Sequence, residues 1–436
     1  MNVYEYIEEK LKYNNNFDVV KRKINDFVMY FLSSLVDMKY VNEIILGYNL
    51  NKDILLNGSV NEVKDIDLAI NDVLSGCLLL IKDNKIYIIE TRDYPSRSIS
   101  ESFTEKTIKG VHDGFNESII TNTALIRRRI NNSDFCCELF KIGNKNKIDV
   151  SINYLKGKVD ETLLLKIKKK LKNYNKDFLV NSDKSIADYL VDQKYNIFPK
   201  VRYSERPDVA SINILKGYIV ILVDTSSCCI ILPTNIFELN EQLEEYHLNS
   251  VVSSFIRILK YMFILIALYL LPVWFIMCIN KAEVNSQFII LKDISKDDLF
   301  FQLLSIQIFI YAIRLASYNT SSVFSTSFSI FSSIVISTLS IETGLLNKEV
   351  VFYGALSLIC CYSISNYETS QAISIYSIVL LIAVYLFNVI GFIILNTILF
   401  ILLISIDNYL YPFIPFDIKR LFKRFIKVDN NKTKFN

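Results

Sequence analysis

A row of hydroxyl side chains stands out in the apolar second half of the chain, where 321–341 reads SSVFSTSFSIFSSIVISTLSI. At about 100° per residue, eight of them share one sector of a helix: Ser322, Ser325, Thr326, Ser329, Ser332, Ser333, Ser337 and Ser340. Phe324, Phe328 and Phe331 lie mainly away from that sector. Hydroxyls on one helix face can line an aqueous pathway across a membrane. They can equally let neighbouring helices pack closely, which is the commoner use of small residues in membranes.

Two charged residues flank this hydroxyl face, and a charge inside a membrane segment usually has a function. Arg314 precedes the face and Glu342 follows it. We expect each to be the partner of the other. The alternative is that both side chains reach out to the membrane surface.

Groups for metal or nucleophilic chemistry are sparse. His112 and His247 are the only histidines, and the eight cysteines include three adjacent pairs but no C-x-x-C spacing. Zinc sites and histidine-based catalysis need richer sets of residues, and the sequence has no G-x-x-x-x-G-K-[ST] phosphate loop. The sequence therefore predicts no metal site, no cofactor and no enzyme activity.

A basic triplet at 127–129 closes the segment DGFNESIITNTALIRRRINN. Nucleic-acid binding is disfavoured because the first 250 residues carry 34 Lys and Arg against 35 Asp and Glu. We interpret the triplet as the end of a helix with Glu117 in its first turn, since such charges complement the helix dipole by about 0.3–1 kcal/mol each. Four residues can share the buried face of this helix: Phe115, Ile119, Ile126 and Ile130. The arginines are then expected to reach acidic partners at a subdomain or subunit junction.

Charge divides the chain at about residue 250. From 251 onward it holds 14 of the 48 Lys and Arg and 10 of the 45 Asp and Glu. Such sparsity fits a membrane, where a charge costs on the order of 3 kcal/mol. Five apolar runs are candidate spans: 255–278, 299–317, 321–341, 350–365 and 373–406. The last run is either one long tilted helix or two short passes.

Basic residues lie at both ends of the apolar part. Arg257 and Lys260 stand at its start, and five more form the tail: Lys419, Arg420, Lys423, Arg424 and Lys427. By the positive-inside rule both ends are cytoplasmic, which requires an even number of crossings, and we expect four to six. The start of the chain, MNVYEYIEEKLKYNNN, lacks a basic segment followed by an apolar core. We therefore expect the first 250 residues to stay in the cytoplasm.

Two stretches of the charged part share one pattern. In the first, 66–74 has apolar residues at helical spacing, Gly76 marks the helix end, and CLLLIK and KIYIIE predict the strands of a hairpin. The pattern recurs 141 residues later around Gly217, with Pro207 at the helix start. Aligning the two glycines gives five identities over 18 positions. A duplicated subdomain and two independent copies of a common unit both remain open, and either predicts two small α/β subdomains.

Two motifs carry a family resemblance. The first consists of Gly110, Gly114, Phe115, Glu117, Asn122, Ile126, Arg127, Arg129 and Ile130, and the second of Tyr203, Glu205, Arg206, Pro207 and Asp208. They resemble an acidic-Gly-Phe-x-Glu stretch with an Ile-Arg-x-Arg-Ile ending and a Tyr-Thr-Glu-Arg-Pro-Asp motif of the GerA family of spore germination proteins. Serine stands here in place of the threonine. In the apolar part, Glu342, Gly344 and Leu345 and the stretch YLYPFIPF are similar to the family more weakly.

The resemblance implies a membrane subunit of a nutrient germinant receptor in the spore inner membrane. It implies a permease-like B subunit and a lipoprotein C subunit as partners, a homo-oligomer within the complex, and a nutrient that acts indirectly. It also implies a ligand-gated cation channel that starts germination, with the hydroxyl face as our candidate pore wall. The stage V sporulation AF branch of the family supplies the alternative, an accessory or assembly membrane protein without conductance of its own.

The fold expected from all of this is an α/β N-terminal cytoplasmic region of two small subdomains plus an all-α, multi-span transmembrane domain. The expected boundaries are 1–145 and 146–250 for the subdomains, 251–415 for the transmembrane helices, and 416–436 for a basic cytoplasmic tail.

Overall fold

The structure is a computed structural model that describes residues 3–24, 26–49, 60–82, 85–93, 111–145, 147–175, 182–192, 196–242, 245, 248–280, 294–319, 330, 334, 338, 340–405, 407–408 and 411–412. The chain forms two compact units. The N-terminal unit comprises Met1–Tyr195 and Lys200–Thr234, and the helical unit comprises Asn196–Pro199 and Asn235–Asn436.

The N-terminal unit contains helices and antiparallel strands. Its helices are α1 (Val3–Lys10), α2 (Met38–Asn49), α3 (Ile66–Leu74), α4 (Ile119–Arg129), α5 (Glu161–Lys172), α6 (Ser182–Val191) and α7 (Pro207–Leu215). Its strands are β1 (Val19–Ile24), β2 (Phe27–Leu32), β3 (Val60–Val63), β4 (Leu78–Lys82), β5 (Lys85–Ile89), β6 (Phe135–Ile142), β7 (Ile148–Leu155), β8 (Arg202–Ser204), β9 (Ile219–Val223) and β10 (Cys229–Leu232). The two small α/β parts predicted from the sequence are therefore present.

The strands form two sheets that share one topology. The first has the order β1-β2-β4-β5-β3 and the second the order β6-β7-β9-β10-β8. In each sheet a nine-residue helix, α3 or α7, leads through a glycine into a hairpin. The predicted sequence of helix, glycine and two strands is confirmed in both places, and the common strand order favours a duplicated subdomain.

Both glycines of this pattern are required by geometry. Gly76 and Gly217 have φ of 95° and 94°, a region that L side chains rarely adopt. A Cβ on Gly76 would lie 2.9 Å from the carbonyl oxygen of Leu35, and one on Gly217 would lie 2.6 Å from that of Lys158. Each glycine therefore allows the end of its helix to contact backbone closely. Gly76 contacts the segment after β2, and Gly217 contacts the segment after β7.

The first sheet is covered on both faces, which follows from the alternation of side chains along a strand. In β2, Val28, Tyr30 and Leu32 pack with α1 and α3 on one face. Phe27, Met29 and Phe31 pack with α2 on the other. All six residues of β2 are buried, so the strand is a continuous apolar run.

The second sheet begins earlier than the expected boundary between subdomains. Strands β6 and β7 pair from Phe135 with Leu155 to Ile142 with Ile148. The boundary expected at 145/146 thus lies inside a hairpin, whose strands cannot be divided without losing their hydrogen bonds. We place the start of the second subdomain before Phe135.

The helical unit contains α8 (Ile236–Leu239), α9 (Ser250–Ile279), α10 (Lys296–Asn319), a short helix at Ser340–Glu342, α11 (Lys348–Tyr362), α12 (Tyr367–Ser405) and a small pair of strands at Asp407–Asn408 and Tyr411–Pro412. Among the described residues, two helices are long and apolar enough to cross a membrane, Ser250–Ile279 and Tyr367–Ile404. Helix α11, predicted as a span over 350–365, has 15 residues. It is shorter than the roughly 20 residues that a straight span requires.

Helix α12 reverses direction at Asn388, where φ is 52° and ψ is −134°. The hydroxyl of Tyr376 donates to the carbonyl of Leu395, 19 residues further on. In a straight helix those residues would lie roughly 28 Å apart. The segments before and after Asn388, here α12a (367–387) and α12b (389–405), therefore fold back on each other. Of the two arrangements open for 373–406, the two-segment one is observed.

Candidate functional site: the motif junction of the N-terminal unit

The two motif segments contact each other, together with Asp18 and Asp224; we call residues 111–130, 202–208, Asp18 and Asp224 the motif junction. Its centre is α4, which contacts α7, β7 and β9 of the second sheet. Residues that are far apart in the sequence are thus assembled around one helix.

The start of α4 is held by polar groups. Ser118 is the N-cap, and its hydroxyl accepts from the Thr121 N–H at 3.5 Å. The Asp224 carboxylate accepts from the Ile119 N–H at 3.2 Å. Glu117 precedes this cap, so the expectation that it lies in the first helical turn is wrong. The reason is that Ser118 ends the extended segment with φ of −93° and ψ of 116°, and only then does the helix begin.

Asn122 folds the segment before α4 back onto the helix. Its side-chain oxygen accepts from the Asn116 N–H at 2.9 Å, and its side-chain nitrogen donates to the Asn116 carbonyl at 2.6 Å. The side chain is buried. An amide that both donates and accepts is needed here, which explains asparagine at this motif position.

Arg206 joins the second motif to the first. Its Nε and Nη2 donate to the Asp208 carboxylate at 3.0 and 2.8 Å, and Nη2 also donates to the Val111 carbonyl at 2.6 Å. The Phe115 N–H donates to the Glu205 carbonyl at 2.7 Å. Pro207 occupies the first turn of α7, where no N–H is required. The two motifs therefore form one structure.

The three arginines at the end of α4 have different surroundings. Arg129 donates through Nη2 to both oxygens of Asp113 at 2.6 Å and through Nη1 to the Leu125 carbonyl at 2.8 Å. Arg128 is exposed. Arg127 is buried. The expected buried residues of the segment, Phe115, Ile119, Ile126 and Ile130, are confirmed as buried.

Arg127 forms a bidentate pair with Asp18 next to the first sheet. Its Nε donates to Oδ2 at 2.9 Å and its Nη2 to Oδ1 at 2.8 Å, and the two side chains are 1% and 0% exposed. The Ser34 hydroxyl donates to the same carboxylate at 2.9 Å. Burial disfavours the charge of Arg127, but the Asp18 carboxylate and its hydrogen bonds outweigh burial and raise the pKa of Arg127. The guanidinium of Arg127 therefore stays charged.

The segment just before Asp18 continues this contact toward the second sheet. The Phe17 N–H donates to the Cys137 carbonyl at 2.9 Å, and the Cys137 N–H donates to Asn16 Oδ1 at 2.6 Å. Burial raises the pKa of the Cys136 and Cys137 thiols. Both therefore stay protonated, and a protonated thiol is a poor nucleophile.

The chemistry of the motif junction is that of a scaffold. Its carboxylates accept from arginines or backbone amides, and its buried arginines donate to carboxylates and carbonyls. Among the described residues, no three His, Cys, Asp or Glu side chains are grouped to hold a metal ion. The contacts fix the position of α4 relative to Asp18 and to α7, which positions the two sheets.

The two sequence motifs contain most residues of this site but not all of them. Gly114, Phe115, Asn122, Arg127, Arg129, Arg206, Pro207 and Asp208 lie in the motif junction, with Glu117 and Glu205 bonding through their carbonyls. Gly110 lies outside the described residues. Asp18, Asp113 and Asp224 were missed. Asp113 is the acidic residue that precedes Gly114 in the first motif, so a local pattern could have found it. Asp18 is 109 residues from Arg127, and no local pattern links the two.

The expected membrane residues are only partly described. Seven of the hydroxyl residues, Ser322, Ser325, Thr326, Ser329, Ser332, Ser333 and Ser337, lie outside the described residues. Ser340 begins the short helix that ends at Glu342, and Glu342 is exposed. Arg314 lies in α10, but its side chain is outside the described part, so its pairing with Glu342 stays a prediction.

Comparison with known families identifies the chain. The model of the family described as Bacillus/Clostridium GerA spore germination protein matches residues 5–435. The chain belongs to the GerA family. The match spans the N-terminal unit and nearly all of the helical unit, so the resemblance seen in the motifs is confirmed.

Several GerA-family relatives align along most of their length. Stage V sporulation protein AF of Bacillus subtilis (strain 168) is 33% identical, over 97% of this chain and 91% of its own. Spore germination protein KA of the same organism is 24% identical, over 94% and 81%. A crystal structure of the N-terminal domain of the A subunit of the Bacillus megaterium spore germinant receptor GerK3 aligns with 25% identity and a TM-score of 0.39, covering 52% of this chain and 92% of that domain.

Proposed function

We propose that this chain is a membrane subunit of a spore germination complex, which it enters through its N-terminal unit. The observation that carries the proposal is the GerA-family match over residues 5–435. The motif junction supports it, because buried ion pairs that position two sheets fit a scaffold rather than a catalytic site. The chain then acts by assembly and by its helices, and not as an enzyme.

In the first form of the proposal, the chain is the A subunit of a nutrient germinant receptor. It assembles as a homo-oligomer with a permease-like B subunit and a lipoprotein C subunit, and it contributes to a ligand-gated cation channel. The hydroxyl face of 321–341 is the proposed pore wall, since hydroxyls can replace part of the hydration of a passing ion. The nutrient acts indirectly, through a partner.

In the second form, the chain is an accessory or assembly protein without conductance of its own. The observation that favours this form is the alignment with stage V sporulation protein AF, which is 33% identical over 97% of this chain and 91% of that protein. In this form the hydroxyl face is a packing surface between helices.

Both forms place the chain in the spore inner membrane with the two termini in the cytoplasm. The reversal of α12 supports more than two crossings. Its segments of roughly 31 and 25 Å are each near the thickness of a hydrocarbon core, roughly 30 Å. With α9 and α10 this is compatible with the four to six crossings expected from the charges at both ends of the apolar part.

A labelling experiment separates the two forms. Ser329 and Ser333 are each replaced by cysteine in a chain without its native cysteines, and germinating spores are treated with a small, charged, membrane-impermeant thiol reagent. Phe328→Cys and Phe331→Cys are the matched controls, since they lie mainly away from the hydroxyl sector. A channel predicts that the two serine positions react and block cation release, while the controls do not. If the two serine positions do not react, the hydroxyl face is not a pore wall, and the accessory form of the proposal is favoured.

A further inference from the structure

A small, partly open space lies in the helical unit, between α9, α10, α11 and α12a. Its volume is about 30 Å³. Six polar side chains line it, and apolar residues complete the wall: Gln307, Tyr311, Ser357, Cys361, Ser374 and Ser377. Polar groups inside an otherwise apolar helix bundle require hydrogen-bond partners.

Gln307 is the residue whose partners are incomplete. Its side chain is buried, with 8% of the residue exposed, and its Nε2 donates to the Ser377 hydroxyl at 3.3 Å. Its Oε1 is fully buried and has no hydrogen-bond partner among the described residues. A buried oxygen that accepts no hydrogen bond costs about 1–3 kcal/mol. A hydrogen-bond donor inside the space would satisfy Gln307 Oε1.

We propose that this space is a hydration site that holds about two water molecules, one of which donates to Gln307 Oε1. Its volume matches two waters, because one water needs about 10–15 Å³ of such space. An amino acid or a sugar is too large. Among the described residues that line the space none is Asp or Glu, so these residues offer no charge to balance a cation.

The neighbouring hydroxyls give the waters their remaining hydrogen bonds. A buried water makes about three, and a hydroxyl can donate one and accept two. Gln307 belongs to α10, Ser357 to α11, and Ser374 and Ser377 to α12a. The waters thus add hydrogen bonds between three helices to the direct bond from Gln307 to Ser377. The described residues that line this hydration site include none of the proposed pore wall at 321–341.

Radiolytic footprinting of the purified full-length chain in detergent tests the site. An X-ray pulse converts bound water into hydroxyl radicals, which oxidise the side chains beside that water. Cys360 and Cys361 form an internal comparison, since both are buried and adjacent but only Cys361 lines the space. Water in the site predicts that Cys361 is oxidised several-fold faster than Cys360. Gln307→Met, which removes both polar atoms, should lower the Cys361 rate toward that of Cys360. Ser363→Ala, at the C-cap of α11 and outside the lining of the space, should leave the rate unchanged.

Equal oxidation of the two cysteines in the unmodified chain would mean a dry space and would overturn the proposal. A second measurement tests the other possible occupant, a monovalent cation. If thermal stability rises with sodium or potassium relative to choline, and Gln307→Met abolishes the rise, the occupant is a monovalent cation and the hydration site is refuted.

Discussion

Arg127 and Asp18, 109 residues apart in the sequence, form a bidentate ion pair that is closed off from solvent. Asp18 stands immediately before β1 of the first sheet, and Arg127 lies in the last turn of the helix that packs on the second sheet. The pair therefore connects the two sheets through charged groups. Its charges are desolvated, so each depends on the other to remain in the interior.

Arg127→Ala is expected to destabilise the N-terminal unit by about 3–5 kcal/mol, because it leaves the Asp18 carboxylate buried without its partner. Arg127→Lys should recover little of this, since an ammonium cannot reproduce the two parallel hydrogen bonds. Thermal unfolding of the full-length chain in detergent measures both effects. Arg128→Ala is the matched control, because Arg128 is the exposed neighbour in the same triplet, and it should change stability by less than about 0.5 kcal/mol.

A double substitution distinguishes the loss of the whole ion pair from the burial of one unpaired charge. Asp18→Leu combined with Arg127→Met removes both charges and keeps apolar volume, and it should be more stable than either single change. If Arg127→Ala and Arg128→Ala lower the unfolding temperature equally, the buried pair does not contribute more to stability than an exposed arginine does.

Gly217→Ala is expected to destabilise the second sheet more than Gly157→Ala. Both glycines have positive φ, 94° and 84°, so both changes introduce strain of about 1–2 kcal/mol. Only at Gly217 does the new Cβ meet backbone, 2.6 Å from the Lys158 oxygen, whereas nothing lies within 4 Å at Gly157. Unfolding temperatures of the two variants give the comparison. If both variants lose the same stability, the positive φ alone requires glycine at position 217, and the close approach to Lys158 does not matter.

Acid should loosen the start of α5. Asp160 caps this helix, and its hydrogen bond with the Thr162 hydroxyl, followed by those from backbone amides, lowers the pKa of Asp160. A carboxylate whose pKa is lowered in the folded state adds stability above its unfolded pKa of about 3.9, and this is lost as pH falls through the folded pKa.

Hydrogen exchange of the α5 amides measures this effect. Protection at the first turn should fall below about pH 4 in the unmodified chain. Asp160→Asn, which keeps a capping oxygen, should remove the pH dependence, while Asp160→Ala should weaken the helix start by about 1 kcal/mol at neutral pH. Protection that depends on pH equally in all three proteins would assign the effect to another group.

Tyr376→Cys and Leu395→Cys should be cross-linked by a short bifunctional thiol reagent in a chain without its native cysteines. The two residues are in hydrogen-bond contact across the reversal of α12. In a straight helix they would be roughly 28 Å apart, beyond the reach of such a reagent. Tyr376→Cys with Val389→Cys, a pair that is closer in sequence but at the tip of the reversal, is the control. Cross-linking of the control pair alone would contradict the reversal.

Local patterns in the sequence predict the elements of the N-terminal unit well. Apolar spacing over 66–74 and the following Gly76 gave helix, turn and hairpin, because period and glycine chemistry act over a few residues. Arg127 could be assigned to a helix end in the same way. Its partner Asp18 could not, because a contact over 109 residues depends on how the sheets assemble.

The helical unit shows where local patterns fail. The run 373–406 is apolar along most of its length, so its hydrophobicity does not show where the chain turns back. Asn388, with its positive φ, and Gly391, where a Cβ would lie 2.2 Å from the Ala383 oxygen, are the two residues that mark the turn. Glycine is frequent in membrane helices, so Gly391 does not predict a reversal by itself, and the single residue Asn388 does not predict one either.

Affinity purification of the tagged full-length chain from the inner membrane of dormant spores, followed by native mass measurement, tests the central claim most directly. Membership of a spore germination complex predicts a multi-copy particle, with permease-like and lipoprotein subunits present if the chain is a receptor A subunit. Arg127→Glu should lower the amount of this particle, and Arg128→Glu should not. A chain that purifies alone, as a monomer, with both variants behaving like the unmodified protein, would contradict the account.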